Sequence, residues 1–345
     1  MTLHSPHIRK EVDLSAFNTL GIHATAAGFI EITHRDQLPV LARRGLFNRG
    51  KYFILGGGSN VLFKDRLEVT VIRINIPGIR EESLPGGDVR IHAGAGVNWH
   101  ELVTYCTRKG YGGIENLALI PGTAGAAPVQ NIGAYGVELS DVLEEIEIYD
   151  IGLQKFQILG RKECEFGYRD SVFKHSRRGS AIVTRITLRL KTKDHTPDTS
   201  YRVLHDYLAQ EGKSSPSVLD VYHAVIEIRN SKLPDPARLA NAGSFFKNPI
   251  IEEKLLEAIR KDYPDMPFYP AEEGMVKVPA GWLIEKTGWK GKRWKNTGTY
   301  KHQALVIVNH GGATGKEILE FSEKISRSVK QTFSIQLERE VNLVE

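Results

Sequence analysis

The chain has 345 residues, of which 41% are hydrophobic and 25% are charged, with 46 Lys and Arg against 41 Asp and Glu. This composition is typical of a soluble globular protein and excludes a disordered tail protein, a collagen-like rod and a disulfide-stapled miniprotein. The net charge of +5 is compatible with an anionic partner, but it does not distinguish nucleic acid, a membrane surface and a phosphorylated small molecule.

The two cysteines, Cys106 and Cys164, and a polar N-terminal stretch over residues 1–13 predict a reducing, cytoplasmic setting without a secretory leader. One uncharged segment, residues 116–137, is long enough to cross a bilayer. Its glycines, prolines and amide side chains argue against a lipid-facing helix, because proline breaks helices and unpaired polar groups are costly in lipid. We therefore expect a buried glycine-rich loop.

Short strands and helices alternate in the first third of the chain. A capping box formed by Thr33 and Asp36 predicts a helix that runs toward Arg43. Strands are predicted at 52–55, 69–74 and 89–93, and a helix capped by Asn98 is predicted to end at Gly110. Longer strands follow at 142–150 and 181–190, and the alternation in the second predicts one buried face and one wet face.

The last third has a mixed character. Ser217 and Asp220 predict the start of a helix that ends before Pro234, and Thr314 and Glu317 predict the start of a final helix. A strand-like tail over residues 333–344 closes the chain. The pattern indicates an α+β protein with a β-rich front two thirds and a smaller mixed domain behind, the tail being free to return to the front sheet.

The sequence Gly-Gly-Gly-Ser-Asn at 56–60 follows directly on a predicted strand. Glycines without a Cβ allow backbone N–H groups to approach an anion, as a pyrophosphate cradle requires. The segment is not a Walker A loop, because the Lys-Ser/Thr of that motif is missing. It is not the dinucleotide fingerprint either, because the third glycine of that motif is missing. A tight turn therefore remains an alternative to a phosphate site.

A second glycine-rich loop, over residues 121–136, is too long and too apolar for a simple connection. Small residues at this density are typical of a backbone that lies flat against a wide, planar ligand, such as an isoalloxazine ring. A compact Ω-loop packed on itself is the alternative, and spacing alone does not separate the two.

Together these segments resemble the UDP-N-acetylenolpyruvoylglucosamine reductase family. The resemblance extends, in family order, over the blocks NTLG (18–21), GGGSNVL (56–62), IPGTAGAAPVQNIGAYG (120–136), FGYRDS (166–171), KLPDP (232–236), NAGSFFKNP (241–249), AGWLI (280–284) and LEREV (337–341). It implies an α+β protein with a two-part FAD-binding region of the vanillyl-alcohol-oxidase/PCMH type and a C-terminal α+β substrate domain.

The implied domains are an FAD-binding subdomain at 1–74, a second at 75–215 with 333–345, and a substrate domain at 216–332. Non-covalent FAD and NADPH are the implied cofactors, and UDP-N-acetylglucosamine enolpyruvate is the implied substrate. The implied FAD contacts are Leu55, Gly57, Gly58, Ser59, Asn60, Leu62, Ile120, Gly122, Gly125, Ala126, Val129, Gly133, Tyr135 and Ile182. Ala126 and Ala127 stand where the family often has Ser or Gly, so a side-chain hydroxyl bond to the flavin is lost there.

The implied catalytic residues are Arg169, Ser244 and Glu340. A guanidinium can hold the substrate carboxylate bidentately while negative charge develops, and a proton must then reach carbon. By family correspondence Ser244 donates that proton and Glu340 is the acid partner. Because serine is a weak acid, a cation such as Lys232 or Lys247 is expected to polarise it.

The remaining substrate contacts implied by the resemblance are Tyr168, Tyr201, Lys232, Asn248, Tyr269, Lys290 and Gln303. Tyr201 marks the longer form of the reductase, in which a tyrosine loop closes over the substrate. Ser244 and Asn248 would share one face if their segment were helical.

Three further expectations concern partners. Scattered histidines and two lone cysteines predict no metal site. The basic run at 290–295, flanked by Trp289 and Trp294, could be a nucleic-acid patch, but one or two of its charges suffice for a diphosphate. We expect no nucleic acid, no membrane insertion and a monomer. The open alternatives are another FAD oxidoreductase of the same fold and a catalytically silent nucleotide-binding module.

Overall fold

A computed structural model describes residues 6–47 and 51–345, so the first five residues of the polar N-terminal stretch lie outside the described part. The strands are β1 (Arg9–Asp13), β2 (Thr25–Ile32), β3 (Tyr52–Leu55), β4 (Val61–Phe63), β5 (Arg66–Ile74), β6 (Ile79–Ser83), β7 (Asp88–Gly94), β8 (Gly133–Ala134), β9 (Val137–Glu138), β10 (Leu143–Asp150), β11 (Lys155–Gly160), β12 (Ala181–Lys191), β13 (Asn241–Ser244), β14 (Ile250–Glu252), β15 (Tyr269–Pro270), β16 (Met275–Lys277), β17 (Arg293–Trp294), β18 (Thr297–Thr299), β19 (Val306–Asn309) and β20 (Asn342–Val344).

The helices are α1 (Gln37–Arg43), α2 (Trp99–Arg108), α3 (Arg202–Gln210), α4 (Val218–Lys232), α5 (Glu253–Arg260), α6 (Ala280–Lys286) and α7 (Gly315–Phe333). Short 3₁₀ turns lie at Ser15–Phe17, Glu115–Leu117, Ala127–Gln130, Leu139–Asp141, Arg161–Cys164 and Val172–Lys174. Within residues 6–47 and 51–345, no helix combines the length and apolarity needed to span a membrane.

The chain forms two compact units. The first comprises Met1–Val12, Ala26–Gly57 and Glu68–Arg229, and the second comprises Asp13–Thr25, Gly58–Leu67 and Asn230–Glu345. Each unit is therefore assembled from separate stretches of chain. The three-part division drawn from the sequence stays a prediction.

Two sheets of four and five strands build the first unit, together with the two-stranded pair β8-β9. One has the strand order β1-β2-β5-β3, in which β3 and β5 run parallel. The other is antiparallel throughout, with the order β11-β10-β12-β7-β6. Helices α2 and α4 contribute Leu102, Cys106, Val221 and Val225 to the cluster that also contains Ile186 of β12. Each such fully buried aliphatic side chain contributes about 1.5–3 kcal/mol to folding.

Strand β12 confirms the predicted strand but not its wet face. Val183 and Thr187, which alternation assigned to the wet face, are buried, whereas Arg189 is exposed. The difference arises because β12 lies between β10 and β7, so that this face is largely covered by neighbouring side chains. One example is His92, whose Nδ1 lies 3.0 Å from the hydroxyl of Thr187.

The second unit holds smaller sheets. Strands β13, β19, β18 and β17 form an antiparallel sheet in that order, and β14, β16 and β15 form another. Helix α7 buries Ile318, Phe321, Ile325 and Val329 on one stripe.

The C-terminal tail has less strand than predicted. Only residues 342–344 form a strand, β20, which pairs in parallel with β4, so Leu343 lies opposite Leu62. The assignment of the tail to the same domain as residues 75–215 stays a prediction. Pairing is decided by backbone groups that complement each other in space, which the apolar pattern of a three-residue strand does not specify.

Capping side chains decide where most of the predicted helices begin. The hydroxyl of Thr314 accepts the Glu317 N–H at 3.1 Å, and Asn98 Oδ1 accepts the Glu101 N–H at 3.1 Å, both as predicted. Ser217 and Asp220 form the predicted reciprocal pair. The capping box at Thr33 was wrong, because Gln37 Oε1 accepts the Thr33 N–H instead and α1 begins only at Gln37.

Candidate active site

The first two glycines of the Gly-Gly-Gly-Ser-Asn turn lie against the second glycine-rich loop in the first unit. A Cβ on Gly56 would lie 2.9 Å from both Ala126 Cβ and Thr123 Oγ1, and one on Gly57 would lie 3.0 Å from Gly122 Cα. Glycine is therefore required because the two backbones are in contact. The buried Thr123 hydroxyl has no hydrogen-bond partner among the described residues. The two segments thus meet in a contact lined by glycine. The Thr123 hydroxyl beside this contact is available to hydrogen-bond to a polar ligand.

The uncharged segment over residues 116–137 is a loop and not a long helix, as predicted, but most of its residues are half-buried. It contains the 3₁₀ turn Ala127–Gln130 and the strand β8, and Ala124 and Ala127 are buried. The Ala124 and Gly125 N–H groups donate to the carbonyls of Val97 and Ala95. These bonds satisfy the backbone of an uncharged segment without a regular helix.

Gly58 to Asn60 belong to the second unit and meet the Asn18–Gly21 block. Gly58 has a φ of +67°, and a Cβ there would lie 1.9 Å from the carbonyl oxygen of Phe17. The Thr19 N–H donates to the Gly58 carbonyl at 3.1 Å. Asn60 Nδ2 donates to the Glu340 carbonyl at 3.2 Å. A predicted FAD residue therefore holds the backbone of a predicted catalytic residue.

We expect Gly58→Ala to destabilise the protein by about 2–5 kcal/mol, since it adds a left-handed backbone penalty and a clash with Phe17. Gly274→Ala is the matched control, because Gly274 has a φ of +74° but nothing within 4 Å of an added Cβ. Gly274→Ala should lower the free energy of unfolding by about 1–2 kcal/mol. Chemical denaturation measures both, and equal losses would contradict the clash.

Arg169 projects from a tight turn in the first unit. Gly167 and Asp170 exchange backbone hydrogen bonds of 3.1 Å around it, and Arg169 itself has a φ of +55°. Lys174 Nζ donates to the Arg169 carbonyl at 2.7 Å. A left-handed backbone in a residue with a long side chain costs roughly 1–3 kcal/mol and is typical of functional sites.

The Arg169 guanidinium faces the second glycine-rich loop. Its Nη2 donates to the Gly133 carbonyl at 2.7 Å, and the ring centroid of Tyr168 lies 5.5 Å from its Cζ. The structure thus brings together three residues that the sequence predicted for substrate or cofactor: Tyr168, Arg169 and Gly133.

A second arginine, Arg229, lies near this cluster and was missed by the sequence analysis. Its guanidinium donates to the Leu119 carbonyl at 3.3 Å and lies near the Tyr135 hydroxyl, while its buried Nε has no partner among the described residues. Burial lowers the pKa of Arg229, Tyr135 opposes that shift, and the charge of nearby Arg169 adds to it. The available signal was its position four residues after Val225, on the buried stripe of α4.

Ser244 and Glu340 come together in the second unit. The Glu340 N–H donates to the Phe245 carbonyl at 2.9 Å, and Phe246 forms a β-bridge with Arg339. Ser244, at the end of β13, is thus adjacent in sequence to the residue that Glu340 pairs with. The condition for Ser244 and Asn248 to share a helix face is not met, since residues 244–248 are not helical and Phe246 and Lys247 pair with the tail.

Two predicted substrate residues lie at the start of α6. Asn248 Oδ1 accepts the Ala280 N–H at 3.0 Å, and a Cβ on Gly281 would lie 2.8 Å from Gln303 Oε1. The Asn248 amide N–H groups are not used in this contact.

The predicted cations of the second unit have different surroundings. Lys290 Nζ lies 3.0 Å from both carboxylate oxygens of Glu285, and Lys232 is exposed at the end of α4. Lys247 Nζ pairs with Glu338 at 2.5 Å, so its charge is shared with that carboxylate. Tyr269 is 46% exposed in β15. No contact links these side chains to Ser244 in the described part, and their roles stay predictions.

The other predicted contacts are distributed over both units. In the first, Val129 accepts a 2.7 Å bond from Ser171, Ile182 is fully buried in the core beside Tyr149, and the ring of Tyr201 packs edge-on against Tyr135 at 5.5 Å. The remaining predicted residues are Leu55 at the end of β3, Ile120 beside Pro121, Ser59 in the glycine turn and Leu62 in β4.

The aromatic residues of the basic run serve packing. Trp289 and Trp294 both contact the ring of Phe321 of α7, at centroid distances of 5.5 and 6.1 Å. Lys292 and Lys295 lie over the two indole rings. Among residues 6–47 and 51–345, no three His, Cys, Asp or Glu side chains are grouped as a metal site would require.

A family model described as "UDP-N-acetylenolpyruvoylglucosamine reductase, C-terminal domain" matches residues 235–344, and one described as "FAD binding domain" matches residues 26–152. The chain is 44% identical to the UDP-N-acetylenolpyruvoylglucosamine reductase of Amoebophilus asiaticus, covering 98% of this chain and 99% of that one. It is 44% identical to the enzyme of the same name from Chromobacterium violaceum, covering 96% and 97%.

A crystal structure of UDP-N-acetylenolpyruvylglucosamine reductase from Thermus caldophilus superposes with a TM-score of 0.68 at 26% identity, covering 99% of this chain and 100% of that one. The predicted fold class, an FAD-binding region followed by the family's C-terminal domain, is confirmed. This chain belongs to the UDP-N-acetylenolpyruvoylglucosamine reductase family.

Proposed function

We propose that this chain reduces UDP-N-acetylglucosamine enolpyruvate to UDP-N-acetylmuramate in peptidoglycan precursor synthesis, using NADPH and bound FAD. The observation that carries the proposal is the pairing of the Ser244 strand with the Glu340 tail through the 2.9 Å bond from the Glu340 N–H to Phe245. It supports a hydroxyl and a carboxyl acting in one reaction although 96 positions separate them in the sequence.

The residues fit FAD as cofactor. Gly57 and Gly122 bring two backbones into direct contact in the first unit, and the unsatisfied Thr123 hydroxyl beside them offers a donor and an acceptor. Bound there, FAD would supply hydride transfer from NADPH to the enolpyruvyl ether carbon. The methyl groups of Ala126 and Ala127 offer no hydroxyl, and their backbone N–H groups both donate to the Thr123 carbonyl.

Arg169 binds the substrate carboxylate in this proposal. Addition of a hydride leaves negative charge on the adjacent carbon, from which it spreads into the carboxylate. A guanidinium keeps its charge throughout and can bind both oxygens. Its bond to the Gly133 carbonyl and its contact with Tyr168 fix its orientation in advance. Arg229 supplies a second positive charge close to it.

Ser244 delivers a proton from Oγ to the carbon that carries the negative charge. Lys247, one of the two cations expected to polarise this serine, already pairs with Glu338. We therefore assign the assistance of Ser244 mainly to Glu340, its acid partner. The Glu340 backbone is held by Phe245 and Asn60. We propose that Tyr168, Tyr201, Lys232, Asn248, Tyr269, Lys290 and Gln303 bind the rest of the substrate.

We further propose that the protein acts as a cytoplasmic monomer. Cys106 and Cys164 are both buried and unpaired, and burial raises the pKa of each thiol to about 12. Such thiols are unreactive, which suits a reducing compartment but does not require one. Analytical ultracentrifugation at micromolar concentration tests the monomer, and a sedimenting dimer would contradict it.

We expect the purified protein to be yellow, to lose its flavin colour anaerobically with NADPH, and to regain it when UDP-N-acetylglucosamine enolpyruvate is added. Absorbance spectroscopy in a sealed cuvette follows both half-reactions. A colourless protein that does not bind added FAD would contradict the cofactor. Bleaching without recolouring would favour another FAD oxidoreductase. The absence of both bleaching and recolouring would favour a silent nucleotide-binding module.

A further inference from the structure

A ten-residue segment joins β12 to α3 in the first unit and ends at Tyr201, the residue that precedes α3. Residues 192–200 contain neither helix nor strand. Such a segment samples many backbone conformations unless other contacts hold it, and ordering it on ligand binding would weaken binding. The position of the Tyr201 ring, 5.5 Å from Tyr135 and at 83° to it, therefore depends on what fixes this segment.

The beginning of the segment is held against the residues before the second glycine-rich loop. Lys191 and Gly112 exchange backbone hydrogen bonds of 2.9 and 3.1 Å. The His195 ring packs on Gly112, where a Cβ would lie 2.0 Å from its Cδ2. His195 Nε2 lies 2.6 Å from Oε1 of Glu115, which is 1% exposed and accepts the Gly113 N–H at its other oxygen.

The end of the segment is held by a single amide. Asn116 is 1% exposed, and its Nδ2 donates to the carbonyls of Asp198 and Tyr135, each at 2.8 Å. The Asp198 carboxylate accepts the Ser200 N–H at 2.8 Å. One side chain therefore ties the backbone of Tyr135 to the backbone three residues before Tyr201.

We propose that Asn116 is a positioning residue that sets Tyr201 against Tyr135 before substrate binds, and that Glu115 and His195 hold the other end of the same segment. The inference rests on the proposed function in one respect, namely that Tyr201 contacts the substrate. Both N–H groups of the amide are used as donors, so an isosteric carboxylate cannot replace it and would repel the two carbonyl oxygens. The segment would then be released without any change in side-chain size.

The test is a double-mutant cycle on the FAD-loaded enzyme with UDP-N-acetylglucosamine enolpyruvate. Asn116→Asp should raise KM about tenfold and change kcat less than about threefold, because the cost is one of ordering the segment. Tyr201→Ala should raise KM as well. If Asn116 acts through Tyr201, the double variant should have the KM of Tyr201→Ala alone. Multiplying effects would overturn the proposal.

A second measurement reports the segment directly. Trypsin cleavage after Lys191, Lys193 or Arg202, followed by mass spectrometry, should be about tenfold faster in Asn116→Asp than in the unaltered protein. Cleavage after exposed Lys261 in the second unit is the internal control and should not change. Equal cleavage rates at 191–202 would overturn the proposal even if KM rises.

His195→Gln is the second variant, and it decides the matter if Asn116→Asp does not retain FAD. It should accelerate cleavage at 191–202 and raise KM in a Tyr201-dependent manner, because it loosens the contact with Glu115 at the other end of the segment. An additive effect would overturn the proposal here too. Failure of the proposed function is distinguishable, since the unaltered enzyme would then not recolour with the substrate at all.

Discussion

Ser244→Ala should retain FAD and be bleached by NADPH at the normal rate, but recolouring by UDP-N-acetylglucosamine enolpyruvate should slow by about 10²–10⁴-fold. The reason is that hydride transfer from NADPH needs no proton from this hydroxyl, whereas reduction of the substrate needs a proton at carbon. Anaerobic rapid mixing separates the two half-reactions and measures each rate.

The control for this variant is Ser322→Ala. Ser322 is buried in α7 of the same unit, and its hydroxyl donates to the Leu319 carbonyl. The Ser322→Ala variant therefore tests the effect of removing a buried hydroxyl from an element other than β13. Both half-reactions should keep their rates in the control. If Ser244→Ala slows bleaching and recolouring equally, Ser244 is structural and its role as proton donor is wrong.

Arg169→Met should lower kcat/KM for the enolpyruvyl substrate by about 10²–10³-fold, the effect expected when one preorganised group opposite developing negative charge is removed. Arg169→Lys should recover only part of this loss, because an ammonium cannot bind both carboxylate oxygens in a fixed plane. Steady-state kinetics with NADPH saturating measures both variants. A full recovery by lysine would contradict bidentate binding.

Arg229→Met belongs in the same experiment and should give a smaller loss, about tenfold, since Arg229 adds charge without the fixed contact to Gly133. Arg185→Met is its matched control. Arg185 also has a buried Nε without a partner, but its guanidinium lies 3.5 Å from Glu147, which keeps Arg35 as a second partner. The control should therefore leave kcat/KM unchanged.

Much of the candidate site could be predicted because its signals are contiguous in the sequence. The glycines of the Gly-Gly-Gly turn and of the loop at 121–136 predict that the backbone is closely approached there. The structure shows such a contact between Gly57 and Gly122. Helix starts at Asn98 and Thr314 were predictable for the same reason, since a capping side chain acts within three residues.

Other features could not be predicted because they depend on contacts between distant positions. The capping box at Thr33 was wrong, because the Gln37 side chain accepts the Thr33 N–H and α1 begins only at Gln37. The prediction of a solvent-exposed face on β12 was wrong, because the residue pattern of a strand does not reveal whether neighbouring side chains cover a face of the sheet. Arg229 was missed because its role depends on the ring of Tyr135, 94 positions away.

By itself the sequence determined the family and its FAD-binding region through contiguous motifs, and the resemblance to that family implied which residues to propose for catalysis. Only the tertiary structure decided that β20 pairs with β4, that the Glu340 backbone is held by Asn60 and Phe245, and that Asn116 joins Tyr135 to the segment before Tyr201. Each of these contacts is a hydrogen bond between groups far apart in the chain. Such bonds form only where packing of the core has already brought their donors and acceptors to within about 3 Å.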